Sequence, residues 1–180
     1  APGTAVAVLQ AANQEVGTSQ PVGEVGAALA GSGVPLVVDV APLVGRTALP
    51  AAGDAMAADA RLWGGPPGVG VLVLRPGARW RPAPGLPGAE TRPVPVPLAV
   101  AAAAALEQAR RGAAEESARL EALVDRIRDR VAATVPDAVV HGDPVDRLPH
   151  VVTFSCLYVD GEALLLELDR LGFVVGSGSA

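Results

Sequence analysis

At 180 residues the chain is long enough for one domain, or two small ones, with a real hydrophobic core. Half of the residues are apolar but only 3% are aromatic, so packing has to rest on alanine, valine and leucine. A formal charge of −5 argues against an electrostatic nucleic-acid binder, and no run of about 18 apolar residues predicts a membrane span.

The single cysteine, Cys156, cannot close an internal disulfide, and no basic-then-apolar signal segment opens the chain. Both features lead us to expect a reducing, cytoplasmic setting. The 14 basic residues are all arginine, so any chemistry that needs a lysine amine has no candidate in this chain.

In chain order, "TAVAVL" at 4–9 predicts a buried strand and 22–30 a short helix, with Val22, Val25 and Leu29 at helical spacing. "VPLVVDV" at 34–40 is apolar without alternation and predicts a fully buried strand. A third short strand is expected over 54–58, then the loop "DARLWGGPPGVG", then a strand over 68–76. Strands alternating with helix point to an α/β layer with a mainly parallel sheet.

Seven prolines between 76 and 97 mark a stiff linker or surface loop. A long helix is expected over 98–134, with Leu120, Leu123, Val124, Ile127 and Val131 on one stripe. Strand-like "AVVHG" and "HVVTFSCLYV", the helix "GEALLLELDRLG" and a last strand "FVVG" at 173–176 complete a small α+β second half. The expected domains are 1–95 and 96–180.

Asp39 stands at the end of a predicted buried strand. Ligands in open α/β sheets bind beyond the carboxyl ends of strands, which makes it a candidate binding residue. A capping or salt-bridged aspartate explains the same pattern equally well. The glycines of 64–70 lack the lysine and hydroxyl of a phosphate-binding loop and are followed by a strand, so a structural turn is expected. His141 and His150 lack the neighbours that a metal site needs, and Cys156 inside an apolar run reads as a packing residue.

Taken together, five ordered blocks resemble the cysteine desulfurases, within the class V aminotransferases that use pyridoxal phosphate. "ANQEVGTSQPVGEVG" is similar to the family's "NNEIGTIQPI.EI", and "VPLVVDVAPLVGR" to "HVDA.QALGK". "GPPGVGVLVLRPG" resembles "GPKGVGALYVR.G", "HGDPVDRLPHVVTFS" resembles "NGD...RLPN.VNFS", and the C-terminal "VDGEALLLELDRLGFVVGSGSA" resembles "VEGEALLLALD..GIAVSSGSA". The resemblance covers the middle of the family's length. It implies a fold-type I architecture: part of the large-domain sheet, then the small C-terminal α+β domain.

The resemblance also says what the loop at 59–70 would be. The family has "SAHKLYGPKGVG" there, and its lysine forms the Schiff base with the cofactor. Here the lysine position is Leu62, the preceding histidine is Arg61, and the serine that would hold the cofactor phosphate is Asp59. Asp39 matches the aspartate that pairs with the cofactor's pyridine nitrogen. Pro42 replaces a glutamine on its phenolic oxygen, and Gln14 replaces the second asparagine of "NNE".

In the segment that reaches a partner's cofactor site, only Glu90 and Arg92 remain recognisable, and Ala180 falls where the family's nucleophilic cysteine would follow. The implied positions Asp39, Gln14, Asp59 and Arg61 are thus expected to be vestigial, with no cofactor bound by this chain. A binding or scaffolding role is expected, as a homodimer or as a heterodimer with a related chain. The competing expectation is a desulfurase whose missing lysine, cysteine and N-terminal elements come from another chain or lie outside this segment.

Overall fold

The computed structural model describes residues 3–81 and 95–177. The expectations for Glu90, Arg92 and most of the proline-rich segment lie outside the described residues. The chain divides into two compact units. The first contains residues 1–12 and 20–117, and the second 13–19 and 118–180. The division falls inside the long helix, not at its start, and assigns the short stretch 13–19 to the second unit.

The first unit is built on a four-stranded sheet in chain order: β1 (Ala7–Gln10), β2 (Leu36–Asp39), β3 (Ala55–Asp59) and β4 (Gly70–Leu74). β1, β2 and β3 run parallel, and β4 returns antiparallel to β3. α1 (Val22–Leu29) connects β1 to β2, and a 3-10 turn (Ala60–Trp63) begins the connection from β3 to β4. α2 (Val96–Thr134) is 39 residues long and runs from the first unit into the second. No helix among the described residues is long and apolar enough to cross a membrane.

Side chains alternate across a sheet, so the register sorts them into two faces. Ala7, Leu9, Leu36, Val38, Met56 and Ala58 share the face that meets Val22, Val25 and Leu29 of α1, and Ala102, Ala105 and Leu106 of α2. Burying a leucine or valine here contributes roughly 1.5–3 kcal/mol, which makes this face the source of the unit's stability. Gly26 lets α1 approach closely: a Cβ there would sit 2.8 Å from the Ala52 side chain.

The opposite face carries Val8, Gln10, Val37, Asp39, Ala57 and Leu72. This corrects two expectations. β2 is not buried on both sides: Leu36 and Val38 are buried, while Val37 and Asp39, which alternate with them, are half-buried. In β1, Val8 is 71% exposed. An unbroken apolar run encodes burial on both faces, but among the described residues β2 is covered more fully on one face than on the other.

In the second unit β5 (Ala138–Val140) pairs antiparallel with β6 (Phe154–Cys156), and α3 (Gly161–Arg170) follows. Asp160 caps α3, its Oδ1 accepting the Ala163 N–H at 2.9 Å. The strand expected at 173–176 is absent. Those residues form no ladder, and Phe173 and Val174 are 60% and 94% exposed. An apolar run becomes a strand only where another strand accepts its hydrogen bonds. Cys156 is half-buried, less enclosed than its apolar flanks suggested. The α2 stripe is only partly used: Val124 is buried, but Leu123 and Ile127 are 39% and 43% exposed.

Candidate functional site

The carboxyl ends of β1, β2 and β3 lie side by side in the first unit. The register sets Gln10, Asp39 and Ala57 in one row, with Asp59 two residues further along β3. Asp39 is half-buried, and its Oδ1 accepts the Ala41 N–H at 3.0 Å. The carboxylate therefore starts a turn through Pro42 that closes with Leu43 and Val44 N–H groups donating to the Val40 carbonyl. This is the local capping role that the sequence left open beside a binding role, and it still leaves the second carboxylate oxygen for other partners.

Asp59 ends β3 in extended conformation and caps the 3-10 turn, accepting the Arg61 N–H at 2.9 Å. The Arg61 guanidinium folds back on the same carboxylate, with Nε 3.2 Å from both oxygens and Nη2 3.0 Å from Oδ2. The Arg61 side chain, through these bonds, holds the Asp59 carboxyl below its usual range, aided by the Arg61 backbone N–H. The same pairing raises Arg61. The pair is well exposed, at 66% for the Arg61 side chain and 39% for Asp59, so it contributes local geometry and little stability.

Leu62 comes next and is 43% exposed, while Trp63 beside it is buried. Gly64 ends the turn at φ 82°, a conformation that costs other residues more. The Gly65 N–H then bonds back to the Ala60 carbonyl, and the Ala60 N–H to that of Val69. The glycine-proline stretch is thus a structural connection into β4. Sequence reasoning missed Arg46, whose Nη2 donates to the Leu62 carbonyl at 3.1 Å and ties the Asp39 turn to the Leu62 turn. Its only sequence signal was its place directly after Gly45, which adopts φ 77°.

Asp39, Asp59, Arg61 and Leu62 therefore sit at one end of the first unit's sheet. Gln14 belongs to the second unit, in the turn opened by Asn13, whose Oδ1 accepts the N–H groups of Glu15 and Val16, each at 2.9 Å. That turn is woven into its own unit. The Leu148 N–H donates to the Gly17 carbonyl, the Ser19 N–H to that of Asp146, and the Asp143 N–H to Thr18 Oγ1. Arg147, also not singled out by the sequence, has a side chain only 3% exposed, and it pairs with Asp125.

At the opposite, amino end of the sheet, Asp54 accepts the Leu36 N–H at 2.8 Å and pairs with Arg75, a structural clasp. His141 Nε2 lies 2.8 Å from Ser155 Oγ. Among the described residues no three His, Cys, Asp or Glu side chains gather where a metal ion could be held.

Comparison with known proteins accounts for this arrangement. The family model for aminotransferase class-V matches residues 1–180. A cysteine desulfurase of Trichormus azollae is 33% identical over 98% of this chain and 46% of its own length. The cysteine desulfurase NifS of Azotobacter vinelandii is 32% identical, again over 98% of this chain and 46% of its own length. A solved structure of a NifS-like protein superposes with a TM-score of 0.86 at 26% identity, covering 96% of this chain and 49% of that one. The chain thus spans about half the length of the relatives that it matches. It belongs to the class-V aminotransferase family, as a cysteine desulfurase-like chain carrying part of the fold-type I architecture.

Proposed function

We propose that this chain is a cysteine desulfurase-like protein that does not perform the lysine-dependent step, and that it acts as a binding or scaffolding partner in sulfur transfer or iron–sulfur assembly. The observation that carries the reading is the end of β3. An aliphatic side chain, Leu62, stands at the Schiff-base position, and the chain has no lysine. Beside it, a carboxylate occupies the phosphate position, with its own arginine folded onto it.

A group held through a primary amine and a phosphate does not fit this donor set. An amine with a lowered pKa is what makes such a nucleophile, and no side chain here supplies one. The Asp59 carboxylate repels a phosphate, and Arg61 is already engaged with it. Of the four implied cofactor positions, Asp39, Gln14, Asp59 and Arg61, only Asp39 keeps the family residue type.

The test is incubation with pyridoxal phosphate followed by borohydride reduction and peptide mapping. We expect no side-chain adduct and no sulfide release from cysteine. A stoichiometric adduct within residues 55–70 overturns the reading.

A second reading is favoured by one finding: the relatives named above are cysteine desulfurases, matched over 98% of this chain. On that reading the chain belongs to a pyridoxal-phosphate-dependent desulfurase whose lysine and cysteine lie on another chain or outside this segment. Sulfide release that appears only when such a segment is supplied selects it over the first.

A further inference from the structure

The end of the first unit's sheet that lies away from Asp39 carries an open cavity of about 350 Å3. Sites for small molecules run from roughly 300 to 1,000 Å3, so the space suits a compact ligand. One side is apolar, made by Leu29 of α1 and by Val34 and Pro35 where the chain enters β2. The other side is formed by Asp54 before β3 and by Arg75 and Arg79 after β4. Gly31, Gly33 and Gly77 also line it, and a Cβ at any of them would meet nothing within 4 Å. Glycine at these positions leaves the space open.

Charge and hydrogen bonding single out the kind of ligand. Two guanidinium groups and one carboxylate line the cavity, a local balance of +1 in a chain of charge −5. The carboxylate is already engaged: Asp54 Oδ2 accepts the Leu36 N–H at 2.8 Å, and its Oδ1 accepts from Arg75 Nη2. Asp54 therefore positions Arg75. Arg79 Nη2 donates to the Gly33 carbonyl at 2.9 Å, which fixes this side chain from 46 positions away. A guanidinium has five N–H donors, and each of these two commits only one nitrogen, so both keep donors for an acceptor in the cavity.

We infer that this cavity binds a small organic anion, with its carboxylate or phosphate head on Arg75 and Arg79 and a short apolar body against Leu29, Val34 and Pro35. Guanidinium groups match both head groups and hold them by charge-assisted hydrogen bonds. The carboxyl end of α1 opposes an anion, but Ser32 Oγ donates to the Leu29 carbonyl at 2.6 Å and blunts that last turn. The Arg75 side chain is 64% exposed, so water and salt screen the contact and binding is weak and salt-sensitive. The inference does not depend on the loss of lysine chemistry proposed above, which concerns the other end of the sheet.

The test titrates the full, nitrogen-15-labelled chain with phenyl phosphate, benzoate and inorganic phosphate at constant ionic strength. Expected results are saturable amide shifts at Gly31, Gly33 and Gly77, and at least about fivefold tighter binding of one aromatic anion than of inorganic phosphate. The tighter of the two aromatic anions identifies the head group. Arg79→Gln should weaken binding by about tenfold and leave the far-ultraviolet spectrum unchanged. Arg111→Gln, at a side chain 71% exposed on α2, should bind as the parent does. Shifts that do not saturate, or an Arg79→Gln variant that binds as the parent does, overturn the inference. So does inorganic phosphate binding as tightly as both aromatic anions, because the apolar side then contributes nothing.

Discussion

The indole Nε1–H of Trp63 donates to the main-chain oxygen of Ala102, 39 positions away, at 3.0 Å, and both residues are buried. This bond pins the turn carrying Leu62 to the inner face of α2. Trp63→Phe keeps most of the apolar area and loses the donor, so it should cost about 0.5–1.5 kcal/mol. Trp63→Ala also opens a cavity against Gly45, whose position would place a Cβ 3.0 Å from that of Trp63, and should cost about 3–5 kcal/mol. Urea unfolding curves at constant slope separate the two variants.

Leu62→Lys places a lone lysine where the proposed function sets the family's Schiff-base position. If the loop keeps the family geometry, this variant should yield a borohydride-stable pyridoxal phosphate adduct at residue 62, where the parent chain yields none. Asp59 still repels the phosphate, so Asp59→Ser combined with Leu62→Lys should raise apparent affinity by about tenfold. Mass spectrometry of the reduced, digested protein reads both results. An adduct confined to the terminal amine would show that Leu62 is misassigned.

Asp143 organises the turn before Arg147. Its Oδ1 accepts the N–H groups of Val145 and Asp146, each at 2.8 Å, and these backbone bonds lower the carboxyl below its usual range. A depressed folded value means that the carboxylate stabilises the fold fully above the unfolded value of about 4, and that this contribution is lost as pH falls through the lower folded value. Asp143→Asn retains an accepting oxygen without a charge. It should melt somewhat below the parent at neutral pH, show a shallower loss of Tm on acidification, and converge with the parent at low pH. Thermal melts from pH 7 to pH 2 check this.

Among the described glycines of the second unit, Gly142 is the one least able to take a side chain. Its φ is +80°, and a Cβ would fall 2.1 Å from the Val16 carbonyl oxygen. Gly142→Ala should therefore destabilise the protein by more than about 2 kcal/mol, combining backbone strain with displacement of the 13–19 turn. Loss of hydrogen-exchange protection should appear first at Gly17 and Leu148, which share a hydrogen bond there.

The sequence by itself determined the order of the elements from β1 to α3, the parallel pairing at the centre of the sheet and the loop that follows β3. These follow from local information: hydrophobic period, glycine and proline punctuation, and residue identity within a quoted block. It also located Asp39 at the carboxyl end of its strand, because a strand's end is visible wherever an apolar run stops. Tertiary structure decided what local patterns do not encode. "VPLVVDV" looked buried on both sides, yet which of its faces is covered depends on α1 and α2, which arrive from elsewhere in the chain. "FVVG" at 173–176 has a strand's composition, but among the described residues no neighbouring strand receives its hydrogen bonds. Arg46 gained its role only when folding carried the Leu62 carbonyl to its guanidinium across 16 positions. Asp59 and Arg61 were legible as substitutions, whereas their mutual pairing required a backbone that turns at Ala60, and burial, pairing and edge exposure are properties of where distant segments meet.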